Sequence, residues 1–163
     1  MNPPWLAAEA LLALILECLG VTCDEYSRVG IDTSPPVADC SNLTVVIGPL
    51  NGFGSSCPGN LQYNSSLEIY VTRCCEPVGA LSESGGYTPP SPEQVQAAAA
   101  CVARDAWAIL ACLACQTCIL EDVDGVTICC DEVPGVPSIR FQSPQGGCRT
   151  AVITIPLVYT VCC

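Results

Sequence analysis

Apolar residues along this chain recur with two different periods. From Trp5 to Leu19 they come at steps of three and four, the period of an amphipathic helix. Leu11, Leu14, Ile15, Cys18 and Leu19 form the apolar side, while Glu9 and Glu17 lie about 80° apart on another side. This predicts a first helix over about 5–19, closed by Gly20. The same period returns at Val95, Ala98, Val102, Ala106, Ile109 and Leu113. Its start is marked locally: Ser91 is an N-cap, Pro92 sits at the first helical position, Glu93 complements the helix dipole, and Gln94 is placed to close a capping box. A second helix over about 92–115 follows, with Val95, Val102, Ile109 and Leu113 as its core positions. Arg104 and Trp107 fall off that stripe, where Trp107 either closes the margin of the core or faces a neighbour.

Elsewhere the period is two. Leu67, Ile69 and Val71 alternate with Glu68, Tyr70 and Thr72, predicting a half-buried antiparallel strand over 67–73. Leu43–Ile47 is a β-branched run ended by Gly48-Pro49, and 138–142 reads as a short strand. Over 150–161 the residues Ala151, Ile153, Ile155, Leu157, Tyr159 and Val161 form one wholly apolar face, in which Pro156 implies an edge position or a bulge. Residues 50–66 and 76–90, rich in Gly, Ser, Asn and Pro, read as loops. The order helix, strands, long helix, strands defines an α+β fold: a single domain over 1–163, with an antiparallel or mixed sheet and both helices packed on one face.

Composition then narrows the chemistry. There are fifteen cysteines in 163 residues and no histidine, a density of about 9%, at which a disulfide scaffold is the first reading. Without imidazole there is no Ser-His or Cys-His pair and no Cys2His2 zinc site. All five basic residues are arginine, at 28, 73, 104, 140 and 149. The expectation is a protein that is not an enzyme and carries no cofactor and no metal. Dispersed cysteines suit disulfide-stapled loops, with Cys23, Cys40, Cys57, Cys74, Cys75, Cys129, Cys130, Cys148, Cys162 and Cys163 as the candidates. Adjacent pairs such as Cys74-Cys75 point in opposite directions on a strand, so one thiol can face the core while its neighbour staples a loop or another subunit. Cys112, Cys115 and Cys118 are the nearest approach to a metal or redox cluster, but they fall on the helical run, where positions six apart do not share a face.

The apolar stretch Trp5–Gly20 raises the question of a signal peptide. Its lead Met1-Asn2-Pro3-Pro4 has no positive charge, Glu9 and Glu17 interrupt it, and the chain begins at Met1, so a core helix is expected and no membrane span. Net charge is −11, against nucleic-acid binding through phosphate contacts. Five of the sixteen acidic residues, Glu121, Asp122, Asp124, Asp131 and Glu132, crowd twelve positions around a hairpin signal. They read as a solvated hairpin tip, and an acidic surface can also act near DNA by repelling it. Half the residues are hydrophobic with no span to hold them, which suggests apolar area buried between subunits.

Several of these residues together resemble the small cysteine-rich virion proteins at the head–tail junction of long-tailed phages infecting actinobacteria. They are the Ala/Leu helix ending near Gly20-Val21, Asp39-Cys40 leading into Leu43-Thr-Val45, the strand closing on Arg73-Cys74, Pro89-Pro90-Ser91 opening a helix that carries Asp105, and Gly146-Gly147-Cys148 before a Thr-rich final strand. The resemblance spans nearly the whole chain and is most like a tail terminator. It implies a hexameric ring in the virion, made in the host cytoplasm, that caps the tail tube and joins it to the neck and lets DNA pass through. Its partners would be other copies of itself and the neighbouring neck and tail-tube proteins, without sequence-specific DNA contacts. Another neck ring, adaptor or stopper, is the close alternative. A secreted disulfide-rich binding domain is the alternative of a different class.

Overall fold

Leu, Ala and Glu are strong helix formers, and no glycine interrupts them between residues 3 and 19. Helix α1 accordingly runs Pro3–Leu19 in the computed structural model. It starts two residues before the expected Trp5 because proline in a first turn removes only a donor that has no partner there. The structure describes residues 3–19, 26–31, 42–53, 60–74, 80–81, 86–115, 118–123, 126–129, 137–143 and 148–162. Gly20, the expected helix terminator, lies outside them, as do Cys23, Cys40, Cys57, Cys75, Cys130, Cys163, Asp124, Asp131 and Glu132.

After α1 come β1 (Tyr26–Gly30), β2 (Asn42–Ile47), β3 (Asn51–Phe53), β4 (Asn60–Cys74), β5 (Ala80–Leu81) and β6 (Tyr87–Thr88). Helix α2 covers Pro92–Cys115. The chain continues through β7 (Cys118–Val123), β8 (Val126–Cys129), β9 (Ser138–Phe141) and β10 (Cys148–Cys162). The main sheet has the order β1-β2-β4-β10-β9, with β3 also on β4. Only β1–β2 is parallel; the other pairings are antiparallel, so the sheet is mixed. Helix α1 packs on β1 and β2, α2 packs on β10 and β4, and the helices touch each other.

The sheet's axis is the β4–β10 pair, in unbroken register from Cys74↔Cys148 to Asn60↔Cys162. This corrects the expectation of a loop over 50–66, where β3 and the first half of β4 form instead. Asn and Ser are poor strand formers, but each residue of Asn60–Ser66 has a partner in Pro156–Cys162, and non-local pairing overrides local preference. The loop expected over 76–90 likewise contains the small β5–β6 ribbon. Pro156 takes the edge-like position its ring demands: β9 stops at Ser138, opposite Thr154, so beyond it, among the described residues, β10 pairs with β4 alone.

Strands β2 and β3 form one path along β4, broken by a bulge. Between Ile47↔Leu67 and Asn51↔Asn64, residues 48–50 stand against 65–66, one residue more than the partner. Gly48 donates its N–H to the Ser66 carbonyl at 2.8 Å. A Cβ on Gly48 would lie 2.5 Å from Ser66 Oγ and 3.0 Å from that carbonyl, so the close approach requires glycine.

One core fills the space between helices and sheet. It joins Ala7, Ala8, Leu11 and Ile15 of α1, Val102, Ala106, Ile109 and Leu113 of α2, and the inward rows of β2, β4 and β10. Helix α1 is thus a core helix. Val102, Ile109 and Leu113 are buried as expected, but Val95 is 40% exposed. Residues 91–97 are all exposed, so the first turns of α2 reach beyond what the sheet covers. By length and composition α2 could also cross a bilayer; in this fold its inward stripe lies on β4 and β10.

The capping box forms as the local sequence requires. Gln94 N–H donates to Ser91 Oγ at 3.3 Å and Ser91 N–H to Gln94 Oε1 at 2.8 Å. The Ser91 side chain also bonds to Glu93 and holds its carboxyl below the usual range. Ser91→Ala is expected to lower stability by about 1 kcal/mol, a fall of roughly 2–4 °C in Tm for a chain of this size, read by thermal unfolding.

Candidate functional site

The middle of the sheet's second face is also buried, which alternation alone did not suggest. Asn42, Thr44 and Val46 of β2, Tyr70 and Thr72 of β4, and Val152 of β10 are each at most 5% exposed. Its polar groups bond to one another: Thr44 Oγ1 donates to Asn42 Oδ1 at 3.1 Å, and the Thr72 and Thr150 hydroxyls meet at 2.9 Å. At one end of this face Tyr70 donates its hydroxyl to Glu68 Oε2 at 2.6 Å. Arg140 on β9 reaches Glu68 Oε1 at 3.3 Å.

Burial of the Tyr70 ring, then its bond to Glu68 and the charge on that carboxylate, push the Tyr70 phenol up to about 12. The neutral phenol is thus favoured in the folded state. Its stabilising contribution is complete below the ordinary tyrosine value of about 10 and is lost as pH rises toward 12. In alkaline difference spectra Tyr70 is expected to ionise late, and Tyr70→Phe is expected to remove that late step and flatten the loss of stability between about pH 10 and 12. An unchanged titration curve would show that the phenol is not held this way.

Beside the cluster lies an open groove of about 580 Å³. It runs from the first turns of α1, past the end of β1 and the β2–β3 bulge, to Glu68, Tyr70 and Arg140. Its apolar walls are Trp5, Val46, Ile47 and Leu50, with Ile31 at the rim. Ile31 is 70% and Leu50 49% exposed. The Trp5 indole is fixed by a bond to Glu9 Oε1 at 2.7 Å. Glu68 accepts from both the Tyr70 phenol and the Arg140 guanidinium, and the rest of the lining is mainly apolar. Trp107, on the outward side of α2, is 67% exposed, so it faces away from the core.

The remaining candidate residues are distributed as follows. Glu121 and Asp122 lie on β7, paired with β8 as the expected hairpin, which packs against α1. Cys148 is disulfide-bonded; Cys74 stands opposite it in the ladder, while Cys129 ends β8 and Cys162 ends β10. A bridge that the expectations omitted joins Cys18 to Cys112, with Cα atoms 6.0 Å apart. Cys112, Cys115 and Cys118 do not share a helix, since α2 ends at Cys115 and Cys118 opens β7. Among the described residues no cluster of three or more Cys, Asp and Glu side chains is arranged for a metal ion. The signal for the bridge was present: Cys18 sits in the inward stripe of α1, and Cys112 is next to core residue Leu113.

Arg73, at the end of β4, donates from Nε to Asp105 Oδ2 on α2 at 2.7 Å. This clamp holds the long helix against the strand beneath it. No protein-family model matches this chain, and no curated protein matches it.

Proposed function

We propose that this chain is a structural virion subunit that forms a hexameric ring at the head–tail junction, caps the tail tube and joins it to the neck. The observation that carries the reading is the Arg73–Asp105 clamp. These residues, two of those on which the resemblance to head–tail junction proteins rests, are 32 positions apart and meet directly. They do so within the order of helix, strands, long helix and strands that the resemblance implies. An apolar groove and an exposed tryptophan on one small chain add support, since apolar surface of that kind marks assembly.

Electron microscopy and native mass spectrometry of the full chain are expected to give a closed ring with a central channel. Quantitative mass spectrometry is expected to find the chain in particles made from the genome that encodes it. Its absence from those particles would overturn the reading.

In such a ring the charge of −11 per copy gives a strongly negative assembly, and acids along the bore would repel passing DNA. Glu121, Asp122 and Asp124 are the lumen candidates, with Asp131 and Glu132. Replacing the first three by lysine is expected to leave folding intact and to slow DNA ejection. Normal ejection from assembled particles would put the cluster outside the bore.

The Cys18–Cys112 bridge favours one other reading, a secreted disulfide-rich binding domain, because such bridges persist in oxidising compartments. Recovery of the chain from culture medium without particles would select it.

A further inference from the structure

Two surfaces of this molecule, one convex and one concave, lie on different parts of it. The convex one is on α2. Trp107 is 67% exposed, and Ala100, Ala111 and Ala114 on the same side are exposed too. Among the described residues of this face Arg104 is the other large exposed side chain, so the ring stands clear as a knob. The concave one is the groove of about 580 Å³ walled by Trp5, Leu50 and Tyr70.

Charge selects the occupant. Copies of a chain at −11 repel each other, so they associate only through surfaces of low or opposite charge. Between Gln94 and Ala114 the sequence of α2 holds two charged residues, Arg104 and Asp105. Asp105 is paired with Arg73, which leaves Arg104 to give this face a positive sign. Among the described residues, Glu68 in the groove and Glu9, bonded to its wall residue Trp5, outnumber Arg140, so the local sign is negative. Knob and groove also match in polarity, an aromatic ring against apolar walls.

We infer that Trp107 of one copy seats in the groove of a neighbouring copy, with Arg104 turned toward its Glu68 end. The knob and the groove are different surfaces, so the contact is head-to-tail, the kind that repeats around a closed ring. The inference rests on the ring reading and names the contact that would build it.

The test uses the full chain with a photo-crosslinking benzoylphenylalanine at position 107, mixed from isotopically heavy and light copies. After irradiation and reduction, cleavage at arginine leaves the groove residues from Ile31 to Tyr70 in one peptide, 29–73. Heavy–light crosslinks from position 107 into that peptide are expected. Trp107→Ala, at an exposed site, is expected to fold normally and to weaken association at least about tenfold. Leu50→Asp in the groove is expected to do the same. A closed ring whose crosslinks run elsewhere would overturn this contact and leave the ring reading standing. Crosslinks into 29–73 in open oligomers, with no ring, would keep the contact and overturn the ring. A chain that stays monomeric, or that crosslinks at 107 only to lipid or to another protein, overturns the contact.

Discussion

Val102→Asp is expected to leave no folded protein at 25 °C. Val102 is 1% exposed and belongs to the cluster that joins both helices to the sheet. The substitution removes an apolar side chain whose burial contributes about 1.5–3 kcal/mol. It also places an unpaired carboxylate in the core, which costs several kcal/mol more whether the group stays charged or takes up a proton. The sum, roughly 5–8 kcal/mol, is comparable with the roughly 5–15 kcal/mol that holds a domain of this kind together. Val95→Asp is the matched control on the same sequence stripe. At 40% exposure, near the N-terminus of α2, an added carboxylate loses little burial and faces the positive end of the helix dipole. Its effect is expected to stay within about 0.5 kcal/mol. Circular dichroism and soluble yield separate the two variants. A soluble Val102→Asp protein with a cooperative transition would show that the inward face of α2 is wrongly assigned.

That contrast also marks where the sequence is a good guide to the fold. The start of α2 is legible because a capping box is local: Ser91 and Gln94 satisfy each other whatever lies around them. The inward row of Leu67, Ile69 and Val71 is legible because strand period and burial agree there. Val95 has the right period, but the helix outruns the sheet, and no periodicity reports the length of the surface it packs on. Strand β4 reaches back to Asn60 only because β10 lies beside it, a pairing with Cys162, far along the chain, that Asn and Ser do not advertise. Tyr70 and Thr72 sit on the expected solvent row and are nevertheless buried. The groove was the least legible feature. It is assembled from α1, the end of β1, the β2–β3 bulge, β4 and β9, and no single segment carries its signature.

Removing the Cys18–Cys112 bridge is expected to have the second largest effect. The two cysteines are 94 positions apart, so the bridge closes a long loop in the unfolded chain. In the chain-entropy account a loop of that length restricts the unfolded ensemble by up to about 4.7 kcal/mol, with about 2–4 kcal/mol typical of measured bridges. The bridge also ties α1 to α2 near the C-terminal end of each, inside the layer that covers the sheet. The Cys18→Ala/Cys112→Ala double variant is the informative one. A single replacement would leave a thiol free to mispair in a chain with fifteen cysteines. Cys148 remains bonded in the double variant, so the measurement isolates one bridge, as adding a reductant would not. The expected loss of about 2–4 kcal/mol lowers Tm by roughly 4–16 °C at 2–4 °C per kcal/mol. Secondary structure at 25 °C is expected to persist, because the buried cluster does not depend on the sulfur atoms. A double variant that melts with the parent protein would show that the two helices are held by packing alone.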